Sequence, residues 1–149
     1  MYKKVLVPLD GSNMAECALD HVRKLSKAGA IGKLVLLQVV ETPSSGPWTT
    51  GCASLVEQLE AEFQHHAKDY LSRVQDKLAS EGIKSETEVL INFRPSSAIV
   101  QYAEENGIEL IIIASQGHSG VVRLVFGSVA LRVLHDTTIP VLLIRPDLG

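Results

Sequence analysis

A loop of small residues that leads into a predicted helix start is the segment whose residue types best fit a chemical task. Ala114 ends a long apolar run, and the chain then passes Gly117 and His118 before it reaches Gly127 and Ser128. Small residues let the backbone approach a ligand closely, and the free N–H groups at a helix N-terminus attract phosphate. The Ser128 hydroxyl can add a further donor. These features favour a phosphate-binding loop; the other interpretation is a plain turn in which Ser128 caps the helix.

Other well-known catalytic and phosphate-binding motifs do not occur in the sequence. It contains neither Gly-x-Gly-x-x-Gly nor Gly-x-x-x-x-Gly-Lys-Ser/Thr, which argues against a dinucleotide-binding Rossmann site and against a P-loop. Gly117-His-Ser-Gly120 does not have the Gly-x-Ser-x-Gly spacing of a hydrolase nucleophile. No general base with a defined partner can be identified, so the residues themselves do not predict an enzyme.

Apolar runs alternate with segments of helical periodicity along the chain, and this order predicts the scaffold around the loop. Five strands are predicted, the fourth of them in a central position: Val5–Leu9, Leu34–Val40, Thr87–Ile91, Leu110–Ala114 and Val141–Ile144. Four helices are predicted between them, starting at Ser12 or Asn13, Leu55, Pro95 and Val129. Right-handed crossovers then give one α/β domain over residues 1–149, with a doubly wound five-stranded parallel sheet and four helices.

The carboxyl ends of the predicted strands mark the expected ligand site. In an open parallel sheet, ligands bind beyond these ends, where the strand order reverses. This rule selects Leu9–Asp10, Val39–Glu41 and the segment from Ala114 onward. The loop Glu41–Gly51 is long for a connection inside a compact domain, which is typical of a functional or mobile segment.

Length, composition and charge exclude several classes of protein. Of the 149 residues, 46% are hydrophobic and 21% charged, so the chain can form a core without metal or disulfide support. The formal net charge of −3 argues against binding nucleic acid through overall charge. Cys17 and Cys52 form no Cys-x-x-Cys pair, and no apolar run approaches the roughly 20 residues needed to cross a bilayer. We expect a cytoplasmic protein without nucleic-acid or membrane partners.

The sequence resembles the universal stress protein family over nearly its entire length. Lys4–Ser12 is similar to the first strand and turn of the family, and Leu36–Val40 to its second strand. Pro95–Ile99 followed by Glu109–Ile113 is similar to its third helix and fourth strand. The resemblance implies a fold of the adenine nucleotide alpha hydrolase-like type.

Nucleotide-binding members of this family carry Gly-x-x-Gly, nine residues, and then Gly-Ser or Gly-Thr. Here Gly117, nine residues and Gly127-Ser128 match this spacing. The resemblance therefore implies a site for ATP or AMP, which would allow Mg²⁺ to bind together with the nucleotide.

The resemblance also implies a role for each matching residue. Asp10 would hold the ribose hydroxyls, with Pro8 and Leu9 beside the base. Val39 would pack against the adenine ring, and Ile113 would line the strand end. From the residues alone, Asp10 is equally expected as a helix N-cap.

The phosphate end of the implied site contains both matches and departures. Gly117, Gly127, Ser128 and Val129 would cradle the ribose and phosphates. Ala114 stands where the family motif has its first glycine, and its Cβ must be accommodated. His118 stands where arginine is common in the family. The negative charge of the phosphates would then be balanced by the helix dipole, Arg123 and a partly protonated histidine. Phe93 stands where glycine is common and could narrow the pocket.

The implied function is that of a regulatory module in the stress response that binds ATP or AMP. At most, slow ATP hydrolysis is expected. The alternatives are a dimeric interaction protein of the same fold that binds no nucleotide, or a weak ATPase. Val141–Ile144 is predicted to be an apolar edge strand, so we expect a homodimer that forms through it.

Overall fold

A five-stranded parallel sheet lies at the centre of the computed structural model, which describes residues 1–41, 53–115 and 128–146. Its strands are β1 (Tyr2–Pro8), β2 (Ile31–Val40), β3 (Glu86–Ile91), β4 (Leu110–Ala114) and β5 (Val141–Ile144). They are arranged in the order β3-β2-β1-β4-β5, and each neighbouring pair is parallel. The predicted sheet is confirmed, and β4 is an internal strand that lies between β1 and β5.

The helices lie on both sides of this sheet. They are α1 (Asn13–Glu16), α2 (Ala18–Lys27), α3 (Ala53–Ser80), α4 (Pro95–Glu105) and α5 (Ser128–Asp136). Because only Cys17 separates α1 from α2, these two form the single helix predicted between the first two strands, and the fourfold helix pattern is confirmed. Within the described ranges, no helix is both long and apolar enough to cross a membrane.

Two apolar layers hold the helices against the sheet. Successive strand residues point to opposite faces, so Val5 and Val7 of β1 pack with α1, α2 and α3, whereas Leu6 packs with α4 and α5. All three side chains are fully buried. Burial on both faces explains why β1 and β4 appear in the sequence as continuous apolar runs.

The strand order reverses next to β1, and this reversal creates an opening at one edge of the sheet. The chain leaves β1 toward β2 through α1 and α2 on one side of the sheet, and it reaches β4 from β3 through α4 on the other side. Connections that run to opposite sides leave a crevice at the carboxyl ends of the two neighbouring strands.

Candidate functional site

A cleft of about 750 Å³ opens at the carboxyl ends of β1, β2 and β4. One wall comes from α3, and the opposite wall comes from the first residues of α4 and α5. A volume of this size lies within the range of about 300–1,000 Å³ that is usual for small-molecule sites. The cleft therefore coincides with the position that strand order alone selects for a ligand.

Every site residue predicted from the sequence that the structure describes lines this cleft. These residues are Pro8, Leu9, Asp10, Val39, Ile113, Ala114, Ser128 and Val129. The other predicted site residues, Gly117, His118 and Gly127, lie outside the described residues. The topology thus brings the end of the first strand and the start of the last helix to one site.

The floor of the cleft is apolar and almost completely buried. Leu9, Ile113 and Ala114 are 4%, 5% and 6% exposed. The Leu9 N–H donates a hydrogen bond to the Leu37 carbonyl at 2.8 Å, which ties the end of β1 to β2. Among the described residues, only glycines have a positive φ, so Ala114 continues β4 without backbone strain. The methyl group that replaces the family glycine is therefore accommodated.

Asp10 follows β1 directly, and its carboxylate organises the turn into α1. Its Oδ1 accepts hydrogen bonds from the Ser12 N–H at 2.9 Å and from the Ser12 hydroxyl at 2.5 Å. Gly11, with a φ of +86°, allows the chain to make this turn. Ser12 Oγ in turn accepts from the Ala15 N–H at 3.1 Å, so Ser12 is the residue that caps the helix.

The second carboxylate oxygen of Asp10 differs from the first in its hydrogen bonding. Within the described part of the chain, no hydrogen bond reaches Asp10 Oδ2, and Asp10 lines the cleft. A carboxylate held at one oxygen and open at the other is a pre-oriented acceptor for hydroxyl groups.

The first turn of α5 lies at the rim of the cleft. Ser128 is its first residue and is exposed, Val129 is half-buried, and Ala130 is buried. All three line the cleft. The first N–H groups of a helix have no partner within the helix, and the positive end of its dipole favours an anion. This edge of the cleft can therefore receive a negatively charged group.

The α3 wall, which we define as Phe63, His66, Tyr70 and Arg73, was not identified as part of the site from the sequence. All four residues line the cleft. Their spacing of three or four residues places them on one helical face. In the sequence, Phe63 and Tyr70 belong to a run of apolar residues at helical spacing, a pattern typical of a helix face that packs on a core. The available signal was the presence of a histidine and an arginine on that otherwise apolar face.

Tyr70 stays protonated in this environment. Burial raises the pKa of the Tyr70 hydroxyl well above its ordinary value, and the charge of the Glu16 carboxylate raises this pKa further. Asp10 contributes in the same direction. At neutral pH the hydroxyl is therefore neutral and can donate a hydrogen bond.

Phe93 does not narrow the cleft. Its side chain is 57% exposed, and the Arg94 guanidinium carbon lies 5.5 Å from the centre of its ring. The ring is not among the groups that line the cleft. The narrowing of the pocket that the sequence suggests for Phe93 is thus absent.

Comparison with known proteins identifies the family. The profile of the universal stress protein family matches residues 1–145. Universal stress protein YxiE of Bacillus subtilis is 34% identical to the chain, and the alignment covers 97% of the chain and 100% of YxiE.

Solved structures share the fold over the whole chain. The structure of MJ0577, a universal stress protein of Methanocaldococcus jannaschii, superposes on this chain with a TM-score of 0.84 at 28% identity. The superposition covers 100% of this chain and 99% of the MJ0577 chain. A universal stress protein family protein from Arabidopsis thaliana with AMP bound has a TM-score of 0.67 at 16% identity, with 98% and 93% covered. At that identity the likeness concerns the fold alone. Family profile, relatives and fold agree, and the chain belongs to the universal stress protein family.

Proposed function

We propose that this protein binds an adenine nucleotide, ATP or AMP, in the cleft at the carboxyl ends of β1, β2 and β4, and that it acts as a regulatory module in the stress response. The observation that carries the proposal is the convergence of an open carboxylate, an apolar floor and a helix start in one cleft. Each of these features suits a different part of a nucleotide.

The apolar part of the cleft suits the base. Pro8, Leu9, Val39 and Ile113 present mostly carbon surface at the ends of three neighbouring strands. A purine ring is flat and largely apolar on its faces, so its burial against such side chains is favourable. Val39 is half-buried in the free protein and therefore has surface left for the ring.

The carboxylate of Asp10 suits the ribose. Hydroxyl groups donate to a carboxylate in short charge-assisted hydrogen bonds, as in dinucleotide-binding folds. Since Oδ1 is engaged by Ser12, the contact is assigned to Oδ2.

The start of α5 suits the phosphates, with Ser128 and Val129 at the helix end. Gly117, His118 and Gly127 would complete the phosphate cradle, as the resemblance to nucleotide-binding members implies. Among the described residues, no cluster of three His, Cys, Asp or Glu side chains could hold a metal ion. Any Mg²⁺ would therefore be held chiefly by the ATP phosphates and water.

The AMP bound to the Arabidopsis thaliana family protein supports the choice of ligand, because the same fold carries an adenine nucleotide there. The proposal is one of nucleotide binding, and turnover is not part of it.

Titration of the stripped protein with AMP and ATP tests the proposal. We expect saturable binding in the micromolar range and adenine nucleotide among the small molecules released on denaturation. Asp10→Asn keeps the oxygen that accepts the Ser12 N–H but removes the charge, so it should weaken AMP binding by about tenfold or more.

Asp20→Asn is the matched control, because it makes the same chemical change at an exposed residue of α2 that pairs with Arg23 outside the cleft. This variant should bind AMP as the wild type does. The absence of wild-type binding up to millimolar nucleotide would contradict the proposal and favour the interaction protein that binds no nucleotide.

A further inference from the structure

Two buried polar atoms in the cleft find no hydrogen-bond partner among the described residues. They are Oε1 of Gln38 and the hydroxyl oxygen of Tyr70, and within the described part of the chain no group satisfies either of them. Both residues line the cleft. A buried polar group without a partner costs free energy, so such groups in a cleft point to a ligand or an ordered water.

The two atoms lie on the same side of the sheet. Alternation along β2 places Gln38 on the face of Leu34 and Leu36, which pack against α2 and α3. Val39 belongs to the opposite apolar layer, which packs against α4 and α5. Tyr70 projects from α3 onto the same layer as Leu36. Gln38 and Tyr70 therefore approach one region of the cleft from the sheet and from the helix.

Asp10 adjoins this region. Its negative charge raises the pKa of the Tyr70 hydroxyl. The helix that Asp10 and Ser12 initiate contains the buried Ala15, which also lines the cleft. The Glu16 carboxylate also lies close enough to this hydroxyl to raise its pKa. By distance and angle, however, the pair does not form a hydrogen bond.

We propose that Gln38 and Tyr70, together with Asp10, form the pocket that holds the ribose hydroxyls of the bound nucleotide. This inference rests on the proposed function, because it assigns two further residues to the same ligand. It makes Tyr70 a residue that selects ribonucleotides over deoxyribonucleotides.

The chemistry of the three groups matches a vicinal diol. Asp10 Oδ2 and Gln38 Oε1 accept hydrogen bonds, and the Tyr70 hydroxyl both donates and accepts. A ribose offers two hydroxyl groups that also donate and accept, so it satisfies all three, in either orientation of the Gln38 amide. A nucleotide phosphate is largely deprotonated at neutral pH and therefore donates poorly to Asp10 and to the Gln38 carbonyl oxygen. Its negative charge would also be repelled by Asp10. The diol is therefore the part of a nucleotide that fits.

The test compares AMP, 2′-deoxy-AMP and 3′-deoxy-AMP binding to the wild type, Tyr70→Phe and Gln38→Met. Each substitution should weaken AMP binding by roughly five- to tenfold, the effect of one lost hydrogen bond. For the deoxy analogue that lacks the contacted hydroxyl, wild type and Tyr70→Phe should bind equally. Tyr102→Phe is the control, since Tyr102 lies in α4 and lines a separate, smaller cavity.

The possible outcomes separate this inference from the proposed function. If the wild type binds AMP and both variants bind it equally well, the pocket assignment is wrong while the proposed function stands. If Tyr70→Phe weakens the binding of AMP and of both deoxy analogues by the same factor, the Tyr70 hydroxyl does not contact the ribose. The assignment is then also wrong. If the wild type does not bind AMP, both proposals fail. Unchanged thermal stability of the free Tyr70→Phe protein is expected, because removal of an unpaired hydroxyl is close to neutral; a clear loss would show that the hydroxyl already has a partner.

Discussion

At the scale of single residues, the helix cap and the candidate ligand contact belong to two different residues, Ser12 and Asp10. The sequence permits Asp10 either to cap the first helix or to contact a ligand. In the structure the Ser12 hydroxyl accepts from the Ala15 N–H, and Asp10 holds Ser12 in place through Oδ1. Asp10 therefore supports the cap indirectly, and its other oxygen has no hydrogen-bond partner among the described residues.

Ser12→Ala should destabilise the protein by about 1 kcal/mol, because it removes the cap of α1. Urea unfolding followed by circular dichroism measures this free energy. Ser80→Ala is the matched control, since the Ser80 hydroxyl only donates to the Lys77 carbonyl at the exposed end of α3. A loss of stability in Ser80→Ala equal to that in Ser12→Ala would contradict the assignment of the cap.

At the scale of elements, the strand starts differ most from their sequence-based expectation. The first two strands were predicted to begin at Val5 and Leu34, but β1 begins at Tyr2 and β2 at Ile31. The additional residues are mostly exposed, so no apolar run marks them. They are strands because the two segments pair with each other, as Tyr2 does with Ile31, and so satisfy their backbone groups.

Gly32 allows this pairing, and its replacement tests the close approach of the two strands. A Cβ at position 32 would lie 2.7 Å from the Lys3 carbonyl oxygen. Since backbone must move to relieve this contact, Gly32→Ala should lower the free energy of unfolding by about 1–3 kcal/mol. Chemical denaturation measures the effect.

Lys33→Ala serves as the control for this prediction. Lys33 is the next residue of β2, and its exposed ion pair with Glu86 should contribute no more than about 1 kcal/mol. If Gly32→Ala were as stable as the wild type, the strands would have room for a side chain at this position.

At the scale of the whole molecule, the two edges of the sheet differ in character. The edge strand β3 carries Glu86 and Glu88, whereas the edge strand β5 is Val-Leu-Leu-Ile. Charged side chains oppose pairing of an edge with another chain, and an apolar edge favours it. The homodimer expected from the sequence remains a prediction. The apolar character of β5 makes it the strand through which the dimer would form.

Val141→Pro should dissociate this dimer and leave the fold intact. The Pro140 carbonyl accepts a hydrogen bond from the Ile111 N–H of β4, and the Ile144 carbonyl accepts one from the Ser115 N–H directly after β4. Alternation therefore directs the Val141 N–H to the outer edge. Proline removes that N–H at the first residue of an edge strand, where it is tolerated. Sedimentation across a concentration range measures the mass. Val141→Ala keeps the N–H and should remain dimeric; a wild type that stays monomeric at every concentration would contradict the prediction.

Tyr70 should also make the stability of the molecule depend on pH in the alkaline range. Because burial raises its pKa in the folded protein, the unfolded chain loses the tyrosine proton first, from about pH 10. Above that pH the unfolded state binds fewer protons, and the free energy of unfolding falls as pH rises. Tyr102 and Cys17 have pKa values raised in the same direction.

The difference between the wild type and Tyr70→Phe isolates this contribution. Chemical denaturation from pH 8 to about pH 11 should show a shallower fall in the free energy of unfolding for Tyr70→Phe. Parallel curves for the two proteins would mean that the Tyr70 hydroxyl ionises as easily in the folded state as in the unfolded chain.

The sequence by itself determined the alternation of strands and helices, the parallel sheet and the family. These depend on local patterns: apolar runs for β1 and β4, helical spacing for α3, and glycines at 29, 82 and 107 that each follow a helix end by two residues. Asp10, Val39 and Ser128 could be named in advance because strand ends and helix starts are local features, and strand order predicts where they meet.

Only the tertiary structure decided which side chains share the cleft across the sheet faces. Gln38 looks like an ordinary strand residue and Tyr70 like part of an apolar helical face, and neither pattern shows that both polar atoms are buried without a partner. It also decided that Ser12 rather than Asp10 caps α1. Hydrogen-bond partners and burial depend on how distant segments pack, and periodicity along one segment carries no information about the segment that packs against it.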